Sequence, residues 1–145
     1  AAGADHIFQV GNNGATEAMR ILNSGNVGIG VTGPSEKLDV TGNVAVTGQV
    51  YSRTPAAAGS TIDWNSGNQQ YYTGSCTAFT MNNMKDGGTY VLTVEGGASA
   101  TCTFSGSGAT FAFVPANGPT IASKKTVYSI SLIHGTAYVS WMTGF

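Results

Sequence analysis

Val127-Tyr128-Ser129-Ile130-Ser131-Leu132-Ile133-His134-Gly135-Thr136-Ala137-Tyr138-Val139-Ser140-Trp141 is the stretch on which the fold turns. Its two halves meet at His134-Gly135 and read as a tight hairpin, with glycine supplying the positive φ that such a turn requires. Upstream, Tyr90, Leu92 and Val94 alternate with Val91, Thr93 and Glu95, and Phe104, Phe111 and Phe113 fall in two further short strands. Asp86-Gly87-Gly88 is a second strong turn. Glycine or β-branched residues interrupt every candidate helical window of eleven or more residues, so the expected fold class is all-β.

Working outward, the aromatic residues mark a boundary. Of six Phe, six Tyr and two Trp, only Phe8 and Tyr51 precede Pro55. The first half alternates very short strands (HIFQV, AMRIL, VGIGV, KLDV, VAVTGQV) with glycine turns. Strands this short, carrying side chains this small, cannot bury a core within one chain and need neighbours from other chains. Gly25-Asn26-Val27 recurs as Gly42-Asn43-Val44, a weak echo of the kind stacked β-elements leave along a fibre axis. The division expected is a stalk over residues 1–54, a connector over 55–60 and a compact antiparallel β-sandwich over 61–145.

Composition narrows the partners. Charged residues make up 9% of the 145 positions, against roughly 25% in a typical soluble domain, which suits a surface largely covered by partner chains. Six Lys+Arg against seven Asp+Glu leave no basic field for phosphates, so nucleic acid and anionic membrane are poor partners. No apolar run approaches the roughly 18 residues that span a bilayer, so membrane insertion is not expected. The opening AAGADHIFQV has no initiator Met and no basic n-region; it reads as the start of a C-terminal fragment whose export signal lies upstream.

Cys76 and Cys102 each sit in a strand-like run, so neighbouring strands could bridge them; two buried free thiols are the alternative. A bridge would fit an extracellular or exported protein. Neither cysteine has a second Cys or a His at ligand spacing, so no metal and no cofactor are expected.

Gly28-Ile29-Gly30-Val31-Thr32-Gly33 matches the dinucleotide fingerprint, but Pro34 opens a short stretch ending at another glycine turn, leaving no room for the crossover helix. The carboxylates are scattered. Asp86 is explained by its turn and Asp63 as a local cap, and nothing marks a nucleophile, so no catalytic residue is expected. Trp64, Tyr71, Tyr72, Tyr138, Trp141 and Phe145 could form a sugar-stacking surface, although each is more readily a core residue. Tyr138 and Trp141 have opposite parity on one strand and should face opposite sides of the sheet. His134 and Phe145 flank that strand. The candidate ligand-binding set is therefore Tyr138, Trp141, His134, Tyr71, Tyr72 and Phe145.

MRILNSGNVGIGVTGPSEKLDVTGNVAVTG, from Met19 to Gly48, resembles the stalk element of phage tail-fibre proteins and bacterial surface fibres. Ile62-Asp63-Trp64-Asn65, Gly67-Asn68 and Lys85-Asp86-Gly87-Gly88-Thr89-Tyr90-Val91-Leu92 look like the β-sandwich tip of the same class, which includes prey-recognition fibres of predatory bacteria. The resemblance implies a parallel homotrimer, an intertwined β stalk and a distal domain that contacts a cell-surface glycan or another envelope component. Many such fibres carry a self-cleaving chaperone after the stalk. This chain has no such segment, which favours a tip that assembles without one.

The leading expectation is thus an adhesin: the distal tip of a trimeric fibre, extracellular, on a cell surface or virion, and not an enzyme. The alternatives are a purely structural fibre or head-decoration protein, and an enzyme that trims polysaccharide. The first alternative would place Trp141 and Phe145 between chains; the second would require a carboxylate pair within roughly 5 to 10 Å of each other around a groove.

Overall fold

The computed structural model describes residues 4–53, 55, 57 and 59–145. The chain is all-β, with single 3₁₀ turns at Asn12–Gly14 and Trp64–Ser66 and no α-helix among the described residues. It divides into two compact units, one ending at Val50 and one beginning at Tyr51.

In the first unit the short apolar runs form β1 (His6–Val10), β2 (Thr16–Ile21), β3 (Val27–Ile29) and β4 (Leu38–Val40), a sheet in the order β1-β2-β3-β4. The first two pairings are antiparallel and the third is parallel. The glycine fingerprint serves this sheet. A Cβ on Gly28 would overlap the Val31 carbonyl oxygen, and the chain runs on through Pro34 into β4, not into a helix. Residues 44–50, expected as a strand, form none. Val44, Val46 and Val50 are exposed: the run pairs with neither edge of the four-stranded sheet, and a strand is made only by such pairing.

In the second unit, β5 (Thr61–Asp63), β7 (Ala78–Asn82) and β9 (Thr103–Ser105) form a three-stranded parallel sheet. β6 (Gln69–Thr73), β8 (Thr89–Glu95), β10 (Thr110–Phe113), β11 (Lys125–Ile133) and β12 (Thr136–Thr143) form a second sheet in the order β10-β12-β11-β8-β6. The expected antiparallel β-sandwich is not what forms. The second half winds as a parallel β-solenoid, and the reason lies in the connections. From β5 to β10 each strand crosses to the opposite sheet, so strands that become neighbours, such as β6 and β8, are two steps apart and run the same way. Only β11 follows into its neighbour through a two-residue turn, and this hairpin inserts between β8 and β10. The expected turn is there: His134 and Gly135 both have positive φ, 48° and 73°.

The alternating strands point Ile62, Phe79, Met81, Leu92, Tyr128, Ile130, Val139 and their neighbours into one core. Phe104 is its hub, with ring centroids 5.0 to 6.0 Å from Phe79, Phe111, Phe113 and Tyr128. Cys76 and Cys102 are joined by a disulfide across this core, their Cα atoms 4.7 Å apart. The free-thiol alternative therefore falls. Of the expected connector, Pro55 and Ala57 bond to β6 through Tyr71 (3.4 and 2.7 Å); Ala56 and Ala58 lie outside the described residues, as do Thr54 and residues 1–3 of the expected stalk.

Candidate functional site

Each unit presents one sheet face whose chemistry follows from register. Residues paired directly across neighbouring strands share a face. In the first unit one such row is Phe8, Met19, Ile29 and Val40, and a second is His6, Ile21, Val27 and Leu38. Both rows lie on the same side, because they are two residues apart along each strand. With Val10 and Thr16 next along, that side carries eight apolar side chains, one imidazole and one hydroxyl, with Phe8 52% and Leu38 60% exposed. The row between them, Ile7, Arg20, Gly28 and Asp39, faces the other way.

A register shift between Phe8 and Gln9 sharpens this division. It skips Ala18, pairing Gln9 with Glu17, and so turns Glu17 onto the side of Arg20. Two bonds, 2.9 Å to Nε and 2.7 Å to Nη2, join the Glu17 carboxylate to the Arg20 guanidinium, and Asp5 adds a third at 3.3 Å. The Arg20 bond holds the Glu17 carboxyl below its ordinary range. Only Gly28 and Pro34 are buried among the described residues of this unit, so it has no core of its own.

The second unit's five-stranded sheet turns its outer side to solvent. Across β6, β8, β11 and β12 one outward row reads Tyr71, Thr93, Val127, Met142, and the next reads Gln69, Val91, Ser129, Ser140. A third pairs Thr89 with Ser131 and Tyr138. Two shallow depressions lie side by side here. One, of about 180 Å³, is lined by Gln69, Gln70, Tyr71, Val91, Thr93 and Glu95. The other, of about 270 Å³, is lined by Pro115, Val127, Ser129, Ser140, Trp141 and Met142. They adjoin because Val91 pairs with Ser129 and Thr93 with Val127.

The six candidate residues do not form one site. Tyr71 (37% exposed) and Tyr138 (51%) share the outer face. Tyr72 turns inward, its ring edge-on to Phe79 with centroids 5.1 Å apart. Trp141 is partly buried: it borders the second depression, but its ring lies on the core side, stacked on Tyr128 at 6.2 Å, with the indole N–H enclosed without an acceptor. Thus Tyr138 and Trp141 do fall on opposite sides. His134 occupies the hairpin turn and Phe145 lies past the far end of β12, separated by about 27 Å of strand. Sequence reasoning did not single out Met142, Val127, Ser129, Ser140, Gln69 or Thr93 as site residues. The signal was present in the alternation: on their own strands Val127 and Ser129 have the parity opposite to Tyr128 and Ile130, Thr93 opposite to Leu92, Ser140 and Met142 opposite to Val139, and Gln69 opposite to Gln70.

Asp63 and Gln70 are engaged structurally. Asp63 accepts from the Asn83 side-chain amide (2.8 Å) and the Asn65 backbone (3.0 Å), which hold its carboxyl below the usual range and cap the Trp64–Ser66 turn. Buried Gln70 donates to the Asp63 and Gly67 carbonyl oxygens at 2.7 and 3.1 Å, fixing the start of β6. No cluster of three or more His, Cys, Asp or Glu suited to a metal occurs among the described residues. Comparison with protein-family models, with curated proteins and with solved structures finds no match.

Proposed function

We propose that this chain is part of a trimeric surface fibre, in which the first unit assembles with two further copies and the second unit is a tip that binds a cell-surface ligand, a glycan or another envelope component. One observation carries the reading: the first unit leaves a sheet face with eight apolar side chains against one imidazole and one hydroxyl, and has no buried side chain larger than proline among its described residues. A sheet of this kind is stable only with that face covered. Copies of the chain meet the requirement without charge conflict, because Glu17, Arg20 and Asp39 lie on the opposite side. Exposed Val44, Val46 and Val50 are then free to pair with neighbouring chains, as an intertwined stalk demands. The number three comes from the likeness of Met19 to Gly48 to fibre stalks.

The second unit, by contrast, has its own aromatic core and a disulfide, which suits a domain exposed outside the cell. The role read here is adhesion, not catalysis. Light scattering on the purified chain tests the assembly. Three times 14.8 kDa supports a fibre, whereas a monomer at micromolar concentration contradicts it.

A further inference from the structure

We infer that the outer face of the five-stranded sheet in the second unit is a binding surface for an uncharged oligosaccharide, lying across the strands from Tyr71 towards Met142. The inference rests on reading the second unit as a binding tip, and adds the surface and the charge class of the ligand. Three features of the face carry it.

The first is its charge. Among the outward positions of β6, β8, β11 and β12 the charged side chains are Glu95 and Lys125, and these neutralise each other through a 2.8 Å bond at one end of the sheet. An acidic polysaccharide would find no free cation there, and desolvating its carboxylates without a partner is costly. The second is the mixture of groups. Ser129, Ser140 and Thr93 hydroxyls and the Gln69 carboxamide are set among Tyr71, Val127 and Met142. Flat apolar patches for sugar ring faces, interleaved with groups that both donate and accept, match a polyhydroxyl ligand.

The third is shape. The two depressions are shallow and adjoining, and neighbouring strands are spaced about 4.8 Å apart, so together they span roughly 14 Å from β6 to β12. That accommodates a short extended chain and not a compact cofactor. The composition also distinguishes this face from a contact between copies, whose buried centre is strongly apolar. The first unit's exposed sheet face, with eight apolar side chains and Thr16 as the one hydroxyl among its paired positions, has that character and this one does not.

The test is calorimetric titration of the full chain with cellohexaose, maltohexaose, mannohexaose and the hexamer of N-acetylglucosamine, and with hexagalacturonate as the charged counterpart. At least one neutral sugar should bind and hexagalacturonate should not. Ser129→Glu buries an unpaired carboxylate under the ligand and should weaken binding by about tenfold or more, a difference of about 1.4 kcal/mol. Tyr71→Ala should act in the same direction, with melting temperature and mass unchanged; His134→Ala and Phe145→Ala, away from the face, should bind like the parent. No neutral binding at about 10 mM, preference for hexagalacturonate, or undiminished binding by Ser129→Glu would each overturn the proposal. So would a fall in assembly mass on Ser129→Glu, which would make the face a contact between copies. A monomeric parent refutes the fibre reading alone, since the titration is still read on the same sample.

Discussion

Two sheets of this chain expose a face, and they differ in what lies behind it. The β1–β4 sheet has apolar residues on its exposed face and, on the other, a charged cluster of Glu17, Arg20 and Asp5 with nothing larger than glycine or proline buried. The five-stranded sheet has the reverse arrangement: its inner side packs Leu92, Ile130, Tyr128 and Val139 into a closed core, and hydroxyls and scattered rings face water. On the fibre reading proposed above, the first sheet depends on other copies for cover, whereas the second has its own core behind it and a surface to spare. A face that must be covered and a face that can be used are thus distinguished by where the core is, not by exposure alone.

The sharpest way to break the comparison is to charge the apolar face. Ile29→Asp places a carboxylate in the middle of the Phe8, Met19, Ile29, Val40 row and should abolish assembly, reducing the mass in light scattering to 14.8 kDa while the second unit keeps its near-ultraviolet aromatic signal. An unchanged mass would mean this face is not where copies meet. Next in size is the disulfide. Cys76 and Cys102 are 26 residues apart, so replacing both by Ala should cost about 3 to 4 kcal/mol on the chain-entropy account. Denaturant melts should show the loss in the second unit only, with assembly through the first retained.

A smaller effect is expected from Tyr128. Burial pushes its phenol up to about 12, against about 10 in an unfolded chain. A raised value favours the neutral form in the folded state, so this contribution is complete below pH ~10 and is lost as pH rises from ~10 to ~12. At about 1.4 kcal/mol per pKa unit it amounts to roughly 2 to 3 kcal/mol. Alkaline melts of Tyr128→Phe should lack this part of the slope, and identical slopes would refute it. The smallest effect is Glu17→Gln. The pair with Arg20 is on the surface, and such pairs contribute little, so mass and melting midpoint should barely change. Dissociation of this variant would show that the charged side of the sheet, not the apolar side, carries the assembly.

Much of this arrangement is legible in the chain, and what is not has a physical cause. The period-two pattern in Tyr90 to Glu95 and Val127 to Trp141 gives strands, and their inner and outer residues, because side chains alternate sides whatever the strand pairs with. The same pattern is silent on direction. β6 and β8 look alike whether they run parallel or antiparallel, so a sandwich was the natural expectation and a parallel winding emerged. Parity likewise separated Tyr138 from Trp141, but no local signal brings Tyr71, from β6, onto the same face as Met142 on β12.

By itself the sequence determined that the chain is all-β, that it changes character near Pro55, that a tight turn sits at His134-Gly135 and that the first half is too poor in large side chains to enclose a core. These are properties of composition and short-range stereochemistry. Only the tertiary structure decided that successive strands cross between sheets, that the bulge at Ala18 gathers the charges of the first sheet on one side, that Cys76 meets Cys102, and that four strands assemble an outer face on which Glu95 and Lys125 neutralise each other. Each of those depends on which distant segments exchange hydrogen bonds, and backbone amides and carbonyls are chemically alike at almost every residue.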